Sequence, residues 1–166
     1  MTMDMKCLLA IALLLMPGPW KADAPASKVA FSVKGPFGMV HGTLNGLRAN
    51  IDLDGKGAIE ASVDVNTIKT GIGKRDRDLC NESAWFDAAK YPRITFVSHK
   101  ITKTGNGYAA EGTLTIKGVA KPLTIPFTFD QHVFHAQFSL NREDYGLGKG
   151  PVGNLVTVDL VVAVRR

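Results

Sequence analysis

The chain has 166 residues, 45% hydrophobic and 21% charged, which is enough for one hydrophobic core and excludes a disordered or fibrous polypeptide. Lys and Arg number 20 against 15 Asp and Glu, a net +5. The excess is spread along the chain rather than gathered on one segment, so the sequence offers no concentrated phosphate-binding face and nucleic acid is not an expected partner.

Lys6 precedes the apolar run CLLAIALLLM, Cys7 to Met16, which the breakers Pro17, Gly18 and Pro19 end. The run is shorter than the roughly 20 residues a membrane span needs, but it suits the core of a signal peptide. Small residues at Ala24-Pro25-Ala26 predict cleavage after Ala26, making residues 1–26 a leader and residues 27–166 the mature domain. No integral membrane segment is expected after cleavage. Cys7 leaves with the leader, so Cys80 has no intramolecular disulfide partner; it reads as a small, partly buried side chain.

From Val29 onward the apolar period is two, the mark of strands with one buried face. Val29, Phe31 and Val33 form the first such run, and Ile59, Ala61, Val63 and Val65 a second. Leu123, Ile125, Phe127 and Phe129 form a later one, where Pro126 predicts a bulge or a free edge. Val156, Val158, Leu160, Val162 and Val164 close the chain. Turn signals at Lys34–Pro36, Asp54–Gly57, Gly105–Gly107, Gly118–Lys121 and Gly146–Gly153 separate about eight strands in an antiparallel meander. Alternation stops between Thr70 and Tyr91, where Lys74 and Asp78 are spaced for a helical turn, predicting a long connection with short helix across one end of the sheet.

Residues with chemical potential have structural readings beside them. His132 and His135 would point to opposite faces of a strand, so no metal site is expected. Arg75, Asp76, Arg77 and Asp78 fit a self-paired, solvated helix face. There is no phosphate-cradling glycine loop, nucleophile elbow or zinc-type H-E-x-x-H. The expectation is a protein without catalytic residues or cofactor; an enzyme would need Arg75, Asp76 or His99 to converge at one mouth. Periodicity alone leaves open whether eight strands enclose a ligand cavity or a core filled by side chains.

Four strings in register resemble the YceI family, also called polyisoprenoid-binding-like: TGIGKRD (Thr70–Asp76), WFDAAKYPRITF (Trp85–Phe96), GTLTIKGVAKPL (Gly112–Leu123) and NREDYGL (Asn141–Leu147). The resemblance spans roughly Val29 to Val164. It implies an all-β fold, an eight-stranded antiparallel lipocalin-like β-barrel with a short helical insertion, in a periplasmic binding or carrier protein for a long-chain isoprenoid, quinone-like or related amphiphilic lipid. The alternative is a non-catalytic cell-envelope interaction or stress-related module with a side-chain-filled barrel. A homodimer is compatible with either.

Carried onto the apolar faces, the resemblance lines the pore with Phe31, Val33, Ile59, Val63, Ile94, Phe96, Leu114, Ile116, Leu123, Ile125, Phe127, Phe138, Leu140, Val158 and Leu160. Arg75, Trp85, Phe86 and Arg142 are its mouth or headgroup candidates, although Arg75 with Asp76 and Arg142 with Asp144 also suit turn clamps. Lys121-Pro122 is expected to close a hairpin. The chain departs from the family pattern at its start, where Ser27 and Lys28 come almost directly before Val29, and in the short stretch GPFGMVHGTL that begins at Gly35. Together these predict a curtailed first hairpin.

Overall fold

The computed structural model describes residues 18–54, 57–148 and 150–166; the leader core expected at Cys7–Met16, and Gly55 and Lys56 of one expected turn, lie outside them. Among the described residues are nine strands: β1 (Trp20–Ala22), β2 (Lys28–Gly35), β3 (Gly38–Asp52), β4 (Ala58–Lys69), β5 (Arg93–Lys103), β6 (Tyr108–Ile116), β7 (Val119–Asp130), β8 (Val133–Asn141) and β9 (Leu155–Arg165). One α-helix, α1 (Gly73–Asn81), lies between β4 and β5. It occupies the stretch where strand alternation stops. No described helix is long and apolar enough to cross a membrane.

Strands β2 to β9 each pair antiparallel with the next, and β9 pairs back onto β2, so the sheet closes as an eight-stranded barrel. Closure removes sheet edges that would otherwise template aggregation. Strand β1 adds no further position around the barrel. Lys21 sits opposite Asn50 of β3 and Arg165 of β9, so β1 continues the line of β2 past a 3-10 turn at Ala24–Ala26.

The stretch ahead of Ser27 is tied to the barrel: the Asp23 amide donates to the Ala163 carbonyl at 2.8 Å, and the Ser27 hydroxyl donates to the Asp23 carbonyl at 2.7 Å. Small residues that resemble a cleavage site are here a turn between two pieces of one strand. The first hairpin is not curtailed, because β3 runs for 15 residues and β1 continues the line of β2 to the far end of the barrel.

Turn chemistry sets the hairpins. Lys117 and Gly118 both have positive φ, 51° and 74°, as do Gln131 and His132, 47° and 63°, the conformation a two-residue hairpin with primed turn geometry demands. The β6–β7 turn is therefore Lys117-Gly118, and Lys121 and Pro122 lie within β7 instead of closing the hairpin. His132 belongs to the β7–β8 turn and shares no strand with His135. Phe127 opposite Ala136 is the pair at which β7 parts from β8. Pro126 begins the stretch of β7 without a β8 partner, so the free edge predicted for it is present.

Candidate functional site

Alternation sends one side chain in two toward the barrel axis, and the inward set does not fill the space. A cavity of about 580 Å³ remains, within the roughly 300–1,000 Å³ typical of small-molecule sites. Phe31, Val33, Ile59, Val63, Ile94, Phe96, Leu114, Ile116, Ile125, Phe127, Phe138, Leu140, Val158 and Leu160 line it, as do Arg75, Trp85, Phe86 and Arg142 at one end. Leu123 does not. It lies on the part of β7 that runs without β8 and packs, half-buried, against the core cluster.

Other lining residues escaped the sequence reading. Leu44, Leu47 and Ile51 of β3 border the cavity, but glycines and two register shifts between β3 and β4 break their alternation. Ile72 and Leu79 reach it from α1 and its approach. Phe134 and Val162 also line it and were accessible to pattern reading, since they share parity with Phe138 and Leu160.

Aromatic rings pack at the barrel end away from α1. Trp20 meets Phe129 edge-on at 5.5 Å between centroids, and Phe129 stacks on Phe134 at 4.3 Å. Phe134 lies 5.5 Å from Phe127, which stacks on Tyr108 at 5.1 Å. Arg166 sits over the outer face of this floor, 4.3 Å from the Trp20 ring centroid. Such offset and edge-on pairs are favoured by the ring quadrupoles beyond their area burial.

The four motif strings build the opposite end. The Asp76 carboxylate accepts from the Thr70 amide at 2.8 Å and from its hydroxyl at 2.5 Å. Arg75 donates to the same hydroxyl at 2.7 Å and to the Thr70 carbonyl at 2.9 Å. Thr70 is thus the hub of a clasp that fixes the start of α1. Its hydrogen bonds hold the Asp76 carboxyl below the usual carboxylate range. Asp76 therefore faces the clasp rather than solvent, and Asp78 pairs outside the expected self-paired block, with Lys74 at 2.5 Å.

Lys117 ties its string to Asn141–Leu147 and to the segment just ahead of Trp85, donating to the carbonyls of Gly146 and Ser83. Gly118 underlies Tyr91, and Gly148 underlies Trp85; a Cβ on either would come within 2.8 Å and 2.2 Å of those rings. Arg142 is 3% exposed, with its guanidinium 5.8 Å from the Trp85 centroid. Its Nε donates to Gly153, one Nη to Leu147 and Gly148, and the other to Val152 and Asn154. All five guanidinium N–H groups therefore have acceptors. Arg142 borders the cavity as the staple of the 147–154 loop, with no donor left for a headgroup, and its ionic neighbour is Glu143 at 3.8 Å instead of Asp144.

His99 is exposed on β5 and is absent from the cavity lining, so it does not converge with Arg75 and Asp76. Cys80 is partly buried and packs against the cluster of Val29, Leu44, Val63 and Ile68. Burial first, then the charge of Asp64, pushes its thiol up, which lowers its thiolate fraction and fits a packing role.

Residues 20–164 match the YceI-like domain. A UPF0312 protein of Pseudomonas putida is 34% identical over 142 residues, covering 77% of this chain and 73% of that one. Burkholderia cenocepacia BcnA superposes with a TM-score of 0.80 at 28% identity, covering 87% of this chain and 99% of its own. A polyisoprenoid binding domain from Saccharophagus degradans shares the fold, with a TM-score of 0.69 at 18% identity over 88% and 97% of the two chains. With the barrel, its cavity and its motif-built mouth all in place, the chain belongs to the YceI-like domain family.

Proposed function

We propose that this protein is an exported, periplasmic, non-catalytic carrier that holds the apolar chain of an isoprenoid, quinone-like or related amphiphilic lipid in its lumen. The observation that carries this reading is the 580 Å³ apolar cavity, floored by aromatic rings and edged with polar groups at its α1 end. A space of that kind suits a molecule with a long apolar body and one polar end. The polyisoprenoid-binding description of the Saccharophagus degradans domain supports the same ligand class.

Volume bounds the ligand. At roughly 30 Å³ per water-sized group, the cavity holds on the order of 20 methylene-sized units. Each contributes about 0.8 kcal/mol when taken from water. A chain of that length offsets ordering and association costs of about 4–15 kcal/mol. A longer isoprenoid would leave its remainder at the mouth. The non-catalytic reading is supported by Arg75 and Asp76 being committed to Thr70 and by the outward position of His99.

The test is to recover the protein from its native host and compare native with denaturing mass spectrometry. A lipid released only on denaturation is expected. An empty protein that also fails to take up an added dispersed isoprenoid would overturn the carrier reading in favour of an interaction module.

A further inference from the structure

Four large apolar side chains stand exposed at the mouth end of the barrel. Phe37, at the tip of the β2–β3 turn, is fully exposed at 103%; Met39, Ile72 and Leu155 are exposed by 56%, 55% and 63%. Register gathers Met39 and Leu155 around Lys34. Met39 is the cross-strand partner of Lys34, while Val33 opposite Val156 sets Leu155 beside Lys34 on its other flank. Val33, Val40 and Val156 face the lumen, so Lys34, Met39 and Leu155 share the outer face of the rim. Phe37 extends that face at its tip, and Ile72 borders the cavity mouth itself.

Charges of both signs surround this surface, on a chain whose net charge is +5. Lys34, Lys69, Lys74 and Arg77 are exposed on the elements that flank it. Of the nearby carboxylates, Asp76 is held by Thr70 and Asp78 by Lys74. Glu143 accepts from Asn154 at 2.9 Å, and Glu82 and Asp144 are exposed. Exposed apolar side chains with Lys34 between them, on a chain of net positive charge, are the composition that settles at an anionic membrane interface. A second copy of this chain is a poorer occupant, because an isologous contact would set Lys34 and the net positive charge of one copy against those of the other.

We propose that the mouth end of the barrel docks on an anionic bilayer, with Phe37 and Met39 among the headgroups and Lys34, Lys69 and Arg77 facing the lipid phosphates. The mouth then opens against the membrane, and an apolar chain passes between bilayer and lumen without crossing water. This deepens the carrier reading by naming the surface with which the carrier exchanges its cargo.

The test uses the chain from Gly18 to Arg166, which contains every strand of the closed barrel, and vesicles of phosphatidylglycerol and phosphatidylcholine in equal parts. Co-sedimentation is expected at low ionic strength. It should fall at least about tenfold on vesicles of phosphatidylcholine alone or with Phe37→Glu, and roughly fivefold with Lys34→Ser. The proposal is overturned if the wild-type chain stays in the supernatant, or if Phe37→Glu sediments like wild type. It is also overturned if the wild type is a dimer that Phe37→Glu dissociates without changing sedimentation. Phe37 and Met39 lie outside the lumen lining, so Phe37→Glu should keep wild-type uptake of a dispersed fluorescent isoprenoid. A wild-type chain that sediments but takes up nothing would remove the carrier role and leave the docking intact.

Discussion

The tip of the Phe31 ring covers Gly42, its direct cross-strand partner on β3. A Cβ on Gly42 would meet Phe31 Cζ at 2.2 Å, and its three nearest atoms all belong to that ring. A glycine opposite the phenylalanine lets the ring lie along the wall, and the lumen stays open as a result. Phe96 uses Gly112 in a similar way, but there the added Cβ would also meet the Val97 carbonyl oxygen at 2.4 Å.

The two glycines are therefore expected to respond differently. Gly42→Ala displaces only a side chain, pushing the Phe31 ring inward at a cost of about 1–3 kcal/mol, and uptake of an apolar probe should fall. Adding Phe31→Leu should restore much of both. Gly112→Ala collides with backbone, so truncating Phe96 should not rescue it. Urea denaturation of the singles and doubles checks this; a Gly42→Ala chain that Phe31→Leu leaves unrescued would mean the ring does not set the lumen.

Arg142 is expected to be the least replaceable polar side chain at the mouth. Truncating it leaves five acceptors in the 142–154 region without their donor, and each one that stays dry costs about 1–3 kcal/mol. Arg142→Met should therefore lower stability by at least about 3 kcal/mol. Arg142→Lys should recover little, because an ammonium cannot span acceptors placed for a planar fork. Equilibrium denaturation measures both. If Arg142→Lys retained near wild-type stability, the all-donor geometry would not be what holds the loop.

These residues also mark how far a sequence can be read. Strands β2, β4 and β9 announce themselves by strict alternation, so period puts Phe31, Val63 and Val158 on buried faces, and the family resemblance makes those faces a lumen. Strand β3 was opaque because Gly42, Gly46 and the register shifts between Thr43 and Arg48 interrupt the period, hiding Leu44, Leu47 and Ile51. Leu123 shows the opposite failure. Alternation states which face a residue takes, but not that β7 leaves β8 before reaching it. Arg75 and Arg142 stood out as charged motif residues, yet their work depends on carbonyls supplied by a folded loop. Trp20 was hidden by leader-like surroundings, since its partners Phe129 and His132 lie near the far end of the chain.

Acid should loosen the α1 clasp before it unfolds the barrel. Hydrogen bonds from Thr70 lower the Asp76 pKa below its ordinary 3.8. A carboxyl with a depressed folded-state pKa contributes stability above its unfolded value, and that contribution is lost as pH falls through the folded value. Wild type should therefore exceed Asp76→Asn in stability at neutral pH, with the gap closing below about pH 4. Thermal melts of the two chains across that range test the sign. A gap that stays constant into strong acid would show that Asp76 acts through shape alone.

Trp20 links the start of the domain to its ability to retain a ligand. Its ring packs on Phe129 and on His132 at 4.9 Å and is covered by Arg166, and it is carried by a strand that the leader-like composition assigns to cleavage. Trp20→Ala should cost roughly 3 kcal/mol, the low end for a large aromatic because it is only partly buried, and should let a bound apolar probe escape faster through the floor. A chain starting at Ser27 loses the whole of β1, so it should melt lower still than Trp20→Ala. A chain starting at Gly18 keeps full stability. Processing that preserves a closed floor must then fall ahead of Trp20, and the intact mass of the exported protein decides it. A mass beginning at Ser27, with undiminished probe retention, would show that the barrel holds its cargo without Trp20.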